Sequence, residues 1–403
     1  MSIAKINKTI FYNIYSPDGT LVEKDWSDAS FVQFSKKING GFGECIINLA
    51  REFGDFGEGV DVRLNNRVEI FVYDKDTNTS TVNDVTGKRI YIGYISSYEP
   101  WASADGKQGV YVTLLGYHTK FAVDILKNTL QTKLYTKATV GLTTVVGDIA
   151  AADGGDIMKA ILERYKEESS NVMMHYNGGD VDATSSNIEY TFDAETYLNA
   201  IERVRQMSPA GWYWFIDTDN FFHFKAKPTT ITHTFYWQQQ FNEIKVSKNM
   251  ERMINTVLLD DGTTATNYRE YNNAASQGEF GRRVLQKSEK YYGDTGTMDE
   301  EAANIIDTMN EPDIEVRLTL LDNNKNEYGY DIESIEVGDT VKIEGFEDSI
   351  FEEGMIIKEF TYRIDRMDLI IQPVKIGLFD KVMTMKRLQD ISISDRDESY
   401  VAA

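Results

Sequence analysis

Two stretches in opposite halves of this chain share one pattern. Arg63-Leu64-Asn65-Asn66-Arg67-Val68-Glu69-Ile70 and Glu336-Val337-Gly338-Asp339-Thr340-Val341-Lys342-Ile343 each set an apolar residue before a two-residue turn, then a strand alternating apolar and polar. Downstream, Gly93-Tyr94-Ile95-Ser96-Ser97-Tyr98 parallels Gly354-Met355-Ile356-Ile357-Lys358 up to Phe360. Each copy then has a loop and a closing strand, Tyr111 to Leu115 or Leu369 to Val374, which runs into Gly116 or Gly377. Identity is low, and the order of elements carries the match. Any two antiparallel sheets of similar size share part of such a pattern, so strand topology has to decide whether this is a duplication. Two like modules in one chain have a geometric use: three chains present six modules about an axis and match a sixfold partner with half as many copies.

The chain has 403 residues, which predicts two to four domains of roughly 100–150 residues each. Tyr (23) and Phe (20) are numerous and Pro (6) is scarce, a balance that favours long paired strands. Residues 1–121 read as a first tube-like β-module. Its strands are Phe31 to Phe34 and Cys45 to Leu49 about the turn-rich Asn39 to Gly43, then Val68 to Tyr73, Ile90 to Ile95 and Val110 to Leu115. Residues 122–228 read as an α/β insertion domain. The pattern turns helical from Tyr117, with Phe121, Ile125 and Leu126 on one face; Ile157, Ile161 and Tyr165 mark a second helix. A third starts near Asp193 as N-cap, carries Tyr197, Ile201 and Val204, and is closed by Pro209 and Gly211. The aromatic hairpin Trp212 to Ile216, turn Asp217 to Asn220, Phe221 to Lys225 ends the domain.

Residues 229–379 read as a second β-module with a helix insertion. Strands Glu243 to Val246 and Thr256 to Leu259 precede a helix that starts from the capping box Thr297-x-x-Glu300, bears Ala302, Ile305, Ile306 and Met309, and stops at Pro312. Strands Ile314 to Leu320, Val341 to Ile343, Met355 to Tyr362 and Leu369 to Val374 follow, and 380–403 is a polar C-terminal extension. The expected fold class is mainly β with an α/β insertion: two tube-like β-barrel or sandwich modules flanking an α+β domain.

Net charge is −22 and the basic residues are dispersed, which argues against specific nucleic-acid binding. An acidic surface would repel DNA, which would suit a conduit that DNA crosses without sticking; the simpler alternative is an acidic soluble protein kept monodisperse by its charge. Cys45 is the single cysteine, in an apolar strand, so a buried structural thiol and folding in a reducing cytoplasm are expected. No secretory h-region and no run of apolar residues long enough for a membrane span is visible. His118, His175, His223 and His233 have no metal-ligand spacing, and His223 reads as a half-exposed strand residue. Asp74-x-Asp76-x-Asn78 opens like a calcium loop, but Thr79 and Val85 stand where glycine and glutamate are needed, so a solvated loop tip is expected. Asp217-x-Asp219 and Asp322-Asn323-Asn324 read as turn residues. Gly40-Gly41-Phe42-Gly43 does not lead into a helix and is no phosphate loop. The Trp212, Trp214, Phe222 and Phe224 side chains read as core against Tyr197, Ile201 and Val204, the alternative being a stacking platform for a sugar or base. No catalytic, cofactor-binding or metal-binding residue is assigned, no cofactor is implied, and the chain is not expected to be an enzyme.

A β-module, an α/β segment ending in a W-x-W-x-I-D … F-x-F hairpin, and a second β-module with V-G-D-T-V-K-I resemble the bacteriophage baseplate hub and tail-tip family, the latter through the N-terminal region of tail-associated proteins. The matching stretches are Phe34 to Leu49, Val68 to Tyr73, Trp212 to Phe224, Glu243 to Leu259 and Val337 to Ile343, within an order of elements covering most of 1–379. The resemblance implies a structural virion protein at the tail tip, made in the host bacterial cytoplasm. It implies a homotrimer whose modules form a pseudo-sixfold ring that continues the tail tube and passes tape-measure protein and DNA. Partners would be distal tail and tail tube proteins, the tape-measure protein, and tail fibre or receptor-binding proteins. This chain stops at Ala403, without the long lysin or receptor-binding region of many tail-tip proteins, which assigns those roles to partners. The working surface is expected to be strand edges that pair across subunits and an acidic lumen, with Tyr111, Val112, Thr113 and Leu114, and Leu369, Ile370, Ile371 and Gln372, near the ring wall. The competing readings are a carbohydrate-binding or cell-wall hydrolase module that uses the aromatic hairpin, and a distal tail ring protein.

Overall fold

A computed structural model describes residues 8–23, 29–50, 63–74, 81–82, 85–126, 152–168, 175–188, 190, 192, 195–241, 243–260, 269–288, 295–322, 330–345 and 354–373. The first half contributes β1 (Lys8–Tyr15), β2 (Leu21–Glu23), β3 (Ala29–Lys37), β4 (Phe42–Leu49), β5 (Arg67–Asp74), the short pair β6 (Thr81–Val82) and β7 (Val85–Thr86), β8 (Lys88–Ala102) and β9 (Gln108–Leu115). Strand alternation fixes the faces: Cys45, Ile47 and Leu49 of β4, and Val110, Val112 and Leu114 of β9, are all fully buried. Each of these larger aliphatic side chains contributes about 1.5–3 kcal/mol relative to exposure. The strands lie in the order β3-β4-β9-β8-β5-β1-β2.

The middle of the chain contributes β10 (Ala152–Asp153), α1 (Gly154–Glu168), β11 (Asn187–Ile188), α2 (Tyr197–Met207), and the hairpin β12 (Trp212–Ile216) and β13 (Phe222–Ala226). Ile157, Ile161 and Tyr165 share the buried face of α1, and Tyr197, Ile201 and Val204 that of α2. Two sequence expectations are corrected. The stretch from Tyr117 is a 3-10 turn that ends at Ala122, not an α-helix with Ile125 on its buried face. Backbone pairing to the strand-like segment before α2 captures the chain instead, with Leu126 N–H donating to Glu195 O (2.9 Å) and Tyr197 N–H to Asp124 O (3.1 Å). This leaves Ile125 51% exposed beside a buried Leu126. The N-cap of α2 is Thr196, whose hydroxyl accepts from Asn199 N–H at 3.2 Å; Asp193 lies outside the described residues.

The last part contributes β14 (His233–Tyr236), β15 (Ile244–Asn249), β16 (Thr256–Asp260), β17 (Arg269–Asn272), α3 (Ala274–Phe280), β18 (Val284–Ser288), α4 (Thr295–Met309), β19 (Asp313–Leu321), β20 (Thr340–Glu344), β21 (Met355–Arg363) and β22 (Arg366–Pro373). Between β15 and β19 the chain builds a small body with its own core: Val257, Leu259 and Leu285 of the β17-β16-β18 sheet against Met298, Ala302 and Ile306 of α4. It docks on α2, where the Asn304 side-chain amide donates to the Gln206 (2.8 Å) and Ser208 (2.9 Å) carbonyls at the open helix end. The proposed capping box is corrected too. Helix α4 already runs from Thr295, so Thr297 is a buried residue of its first turn.

The remaining strands repeat the first half. Their order is β15-β19-β22-β21-β20-β14, position for position that of β3-β4-β9-β8-β5-β1. Every neighbouring pair is antiparallel in both sets except the last, where β1·β5 is antiparallel and β14·β20 parallel. Detail repeats as well. Asn65 N–H donates to Ile95 O and Ile95 N–H to Asn66 O; Gly338 N–H donates to Ile357 O and Ile357 N–H to Asp339 O, all four at 2.9 Å. Asn65 (φ 69°) and Gly338 (φ 88°) both take the left-handed conformation at the same place in the turn. The bulge in β8 between Ile95 and Ser97 has its counterpart in β21 between Ile357 and Glu359. The two sets join through an antiparallel ladder between β21 and β3, so they form one continuous sheet, with β20 and β14 branching off at β21, instead of two closed barrels.

The turn pair gives a test. A Cβ on Gly338 would stand 2.5 Å from the Tyr213 ring in addition to the strained φ, so Gly338→Val should lower unfolding free energy by about 2–3 kcal/mol. Asn65→Gly, at the equivalent turn, should change it by less than about 1 kcal/mol. Equal effects in urea denaturation would contradict the asymmetry.

Candidate assembly surface

The residues expected near a ring wall occupy equivalent strands. Val112, Thr113 and Leu114 of β9 correspond to Leu369, Ile370 and Ile371 of β22 through their pairing with β8 and β21. Both strands are interior, β9 between β4 and β8, β22 between β19 and β21, so neither offers a free edge. Val112, Leu114, Leu369, Ile371 and Gln372 are buried, and only Tyr111, Thr113 and Ile370 reach the outer face. The two strands are not neighbours, because β21, β3 and β4 stand between them. Tyr111 (42% exposed) stacks on Trp101 with ring centroids 5.9 Å apart.

The seam between the halves carries buried ion pairs. Lys36 of β3, fully buried, places its ammonium 2.7 Å from Glu336 Oε2 and 4.4 Å from the Phe42 ring centroid. Lys8 at the start of β1 donates to both oxygens of Glu333 (2.6 and 2.8 Å), and the Tyr362 hydroxyl of β21 donates to the same carboxylate at 2.7 Å. Burial alone would depress the Lys8 pKa, but the Glu333 and Asp322 carboxylates outweigh it and hold it above the usual lysine value. Phe34 stacks on Tyr362 (5.2 Å) and meets Phe360 edge-on (6.1 Å), so the ladder is covered by aromatic packing.

The aromatic hairpin wedges between the halves. Trp214 N–H donates to the Asn39 side-chain oxygen (3.1 Å) and Asn39 N–H to Trp214 O (2.6 Å), while the Tyr213 hydroxyl donates to Gly338 O (3.3 Å). Trp214, Phe222 and Phe224 are wholly buried, and Trp214 Nε1 donates to Glu202 of α2 at 2.6 Å. The core reading of the hairpin therefore holds, and no stacking platform is presented to solvent. His223 is more enclosed than the half-exposed position expected: its side chain is 12% exposed, stacked on Phe215 and bonded to Asp217 Oδ2 at 2.8 Å. Burial would raise the Asp217 pKa; bonds from His223 and the Phe221 amide bring it below the usual carboxylate value.

Cys45 is fully buried, and loss of solvation pushes its thiol pKa up. Among the described residues, no group of three or more His, Cys, Asp or Glu is placed to hold a metal ion, and no helix is long and apolar enough to cross a membrane. Most of the Asp74-x-Asp76-x-Asn78 loop, Asn323, Asn324, Val374, Gly377 and the 380–403 extension lie outside the described residues. The sequence reading missed β1, β14, β18, the short strands β2, β6, β7, β10, β11 and β17, and α3, and it missed the seam. Lys36 was a readable signal, a lysine at an inward position of a strand.

Neither a protein-family model nor a curated protein matches the sequence. Solved structures do match, and they define a fold class, that of prophage tail proteins. The 43 kDa tail protein of prophage MuSo2 from Shewanella oneidensis is similar over 91% of this chain and 99% of its own, with TM-score 0.56 and 12% identity. A tail protein from Neisseria meningitidis MC58 is similar over 90% and 96% (TM-score 0.55, 9% identity). The prophage tail protein gp18 from Listeria monocytogenes EGD-e is similar over 94% and 98% (TM-score 0.53, 11% identity). The likeness spans both halves and the middle, so the resemblance to phage tail proteins read from the sequence is matched by the fold.

Two measurements probe this region. Lys36→Met strands Glu336 and should cost about 2–4 kcal/mol, below the range for a fully enclosed pair because Glu336 keeps contact with water; adding Glu336→Gln should recover most of it in urea denaturation. His118 packs against Gly41, and burial, followed by the Lys37 charge, lowers its pKa from 6.5 to about 4. Below pH 6.5 the unfolded chain takes up a proton that the native state refuses. Stability should therefore fall by up to about 3 kcal/mol between pH 6.5 and 4, and His118→Leu should flatten that part of the profile.

Proposed function

We propose that this chain is a structural component of a phage-type tail, a trimeric hub whose two β-modules form a pseudo-sixfold ring that continues the tail tube. The observation that carries the reading is the repeated strand order, in which six strands of one half have counterparts in the other down to the turn hydrogen bonds. A repeat within the chain is what lets three copies meet a sixfold partner. The division into 1–121, 122–228 and 229–379, with 380–403 as an extension, is part of this proposal: two ring modules, and a middle domain that locks them together. Tyr111, Thr113 and Ile370, outward on equivalent strands, are the members of the expected wall set that can face a lumen or a neighbouring ring. The net charge of −22 suits a passage for tape-measure protein and DNA. The role is architectural, with tail tube, distal tail and receptor-binding proteins as partners in the virion.

The sugar-binding alternative loses its platform, because the hairpin aromatics are core. Native mass by light scattering, with class averages from electron microscopy, tests the hub. Three copies with six similar lobes are expected. A stable monomer contradicts the ring, and six copies favour a distal tail ring protein.

A further inference from the structure

Inside one chain, the seam is made by β3 adding to the C-terminal part of β21, in register Glu359↔Lys37, Phe360↔Lys36, Thr361↔Ser35, Tyr362↔Phe34. The duplication says where the same seam can form again. Matching the bulges of β21 and β8 places Ser97, Tyr98, Glu99 and Pro100 where Glu359, Phe360, Thr361 and Tyr362 stand. Following the partners of Cys45 and Val316, which are equivalent on β4 and β19, places Val246 of β15 where Phe34 stands on β3, and Ser247 where Ser35 stands. Among the described residues, β15 has a strand neighbour only in β19, and β8 beyond Tyr94 only in β9. Among the described residues the second seam is therefore absent, although both of its edges are present.

Side-chain exposure agrees. Phe34, Phe360 and Val337 are buried around the internal seam (2%, 5% and 1% exposed), whereas their counterparts Val246, Tyr98 and Leu64 are 37%, 38% and 55% exposed. Large apolar side chains left in water at the positions that are covered in the other module mark a surface that another chain covers.

We propose that β15 of a second copy of this chain adds antiparallel to β8 of the first, with Glu99 opposite Ser247 and Val246 packed against Tyr98 and Leu64. Strand addition satisfies edge amides and carbonyls that would otherwise face water. Lys245 falls diagonal to Glu99 in this register, an opposite-charge cross-strand pair. Pro100 has no amide hydrogen to give, so the ladder is short and ends there. The internal ion pair is replaced by two cations, Lys248 in the place of Lys36 and Arg63 in that of Glu336, so this seam is weaker than the internal one. This interface rests on the threefold-ring reading and specifies which edges close the ring.

The test uses the full chain with Glu99→Cys and Ser247→Cys. The matching internal pair, Thr361 and Ser35, sits between hydrogen-bonded positions, where Cα atoms lie close enough for a disulfide, and the native Cys45 is fully buried and does not compete. Mild oxidation should give covalent species up to three copies on a non-reducing gel, and neither single variant should do so. Glu99→Cys with Lys248→Cys, one residue out of register, should cross-link at least about tenfold more slowly, because the Cβ vectors point to opposite faces. Val246→Glu, an exposed site in the lone chain, should leave the melting curve of the monomer intact and raise the dissociation constant by about tenfold or more. A trimer by mass with no in-register cross-link, and no response to Val246→Glu, overturns this interface and leaves the ring reading standing. A wild-type monomer at tens of micromolar overturns both.

Discussion

The ladder between β21 and β3 is the interaction on which the rest of the structure depends. It joins the strands of the first half to those of the second, and it does so around a lysine that has no contact with water. Lys36 is tolerable there only because Glu336 and the Phe42 ring answer its charge, and Lys8 with Glu333 and Tyr362 repeats the arrangement a short distance away. Buried ion pairs add little net stability over apolar packing, but a mispaired edge would leave both lysines without partners. The arrangement therefore favours one register of the two halves strongly over any slipped one. The hairpin reinforces it from the side, since its bonds to Asn39 and to Gly338 reach both halves at once.

The two halves differ where their surroundings differ. Gly338 replaces Asn65 in the left-handed turn because Tyr213 fills the space a side chain would need. Strand β14 arrives from the hairpin and runs parallel to β20, while β1 folds back antiparallel on β5. The small α/β body between β15 and β19 has a core of its own and touches the rest chiefly through α2, so it adds bulk without disturbing the strand order.

Much of this was legible in the sequence because alternation in half-buried strands leaves a strong period-two signal. The repeat Arg63 to Ile70 against Glu336 to Ile343 aligns in three dimensions residue for residue, with Val68 and Val341 facing Gly93 and Met355. The downstream match fell one residue out, Gly93 against Gly354, because a bulge and not a glycine keeps the register. The helix drawn through Ile125 failed for a different reason. Residues 124–126 pair with the segment before α2, a non-local contact that local periodicity cannot report. The proposed assembly surface was the least visible part. Outward positions such as Val246 and Leu64 look like ordinary scattered apolar residues until the topology sets them against Phe34 and Val337.

The observed internal seam and the proposed external one differ in what holds them. The internal one is sealed by ion pairs, aromatic stacking and the hairpin, all within a covalently continuous chain, and so costs no translational entropy when it forms. An external one built on Val246, Tyr98 and a short ladder lacks the Lys36–Glu336 pair and must offset that entropy with far less. Any single external contact would then be weak, and the proposed ring would gain because each copy is held at both edges at once. Under the proposed ring, a chain with this division of labour would stay separate as it folds and join only when all copies are present. The acidic surface supports this by opposing chance association.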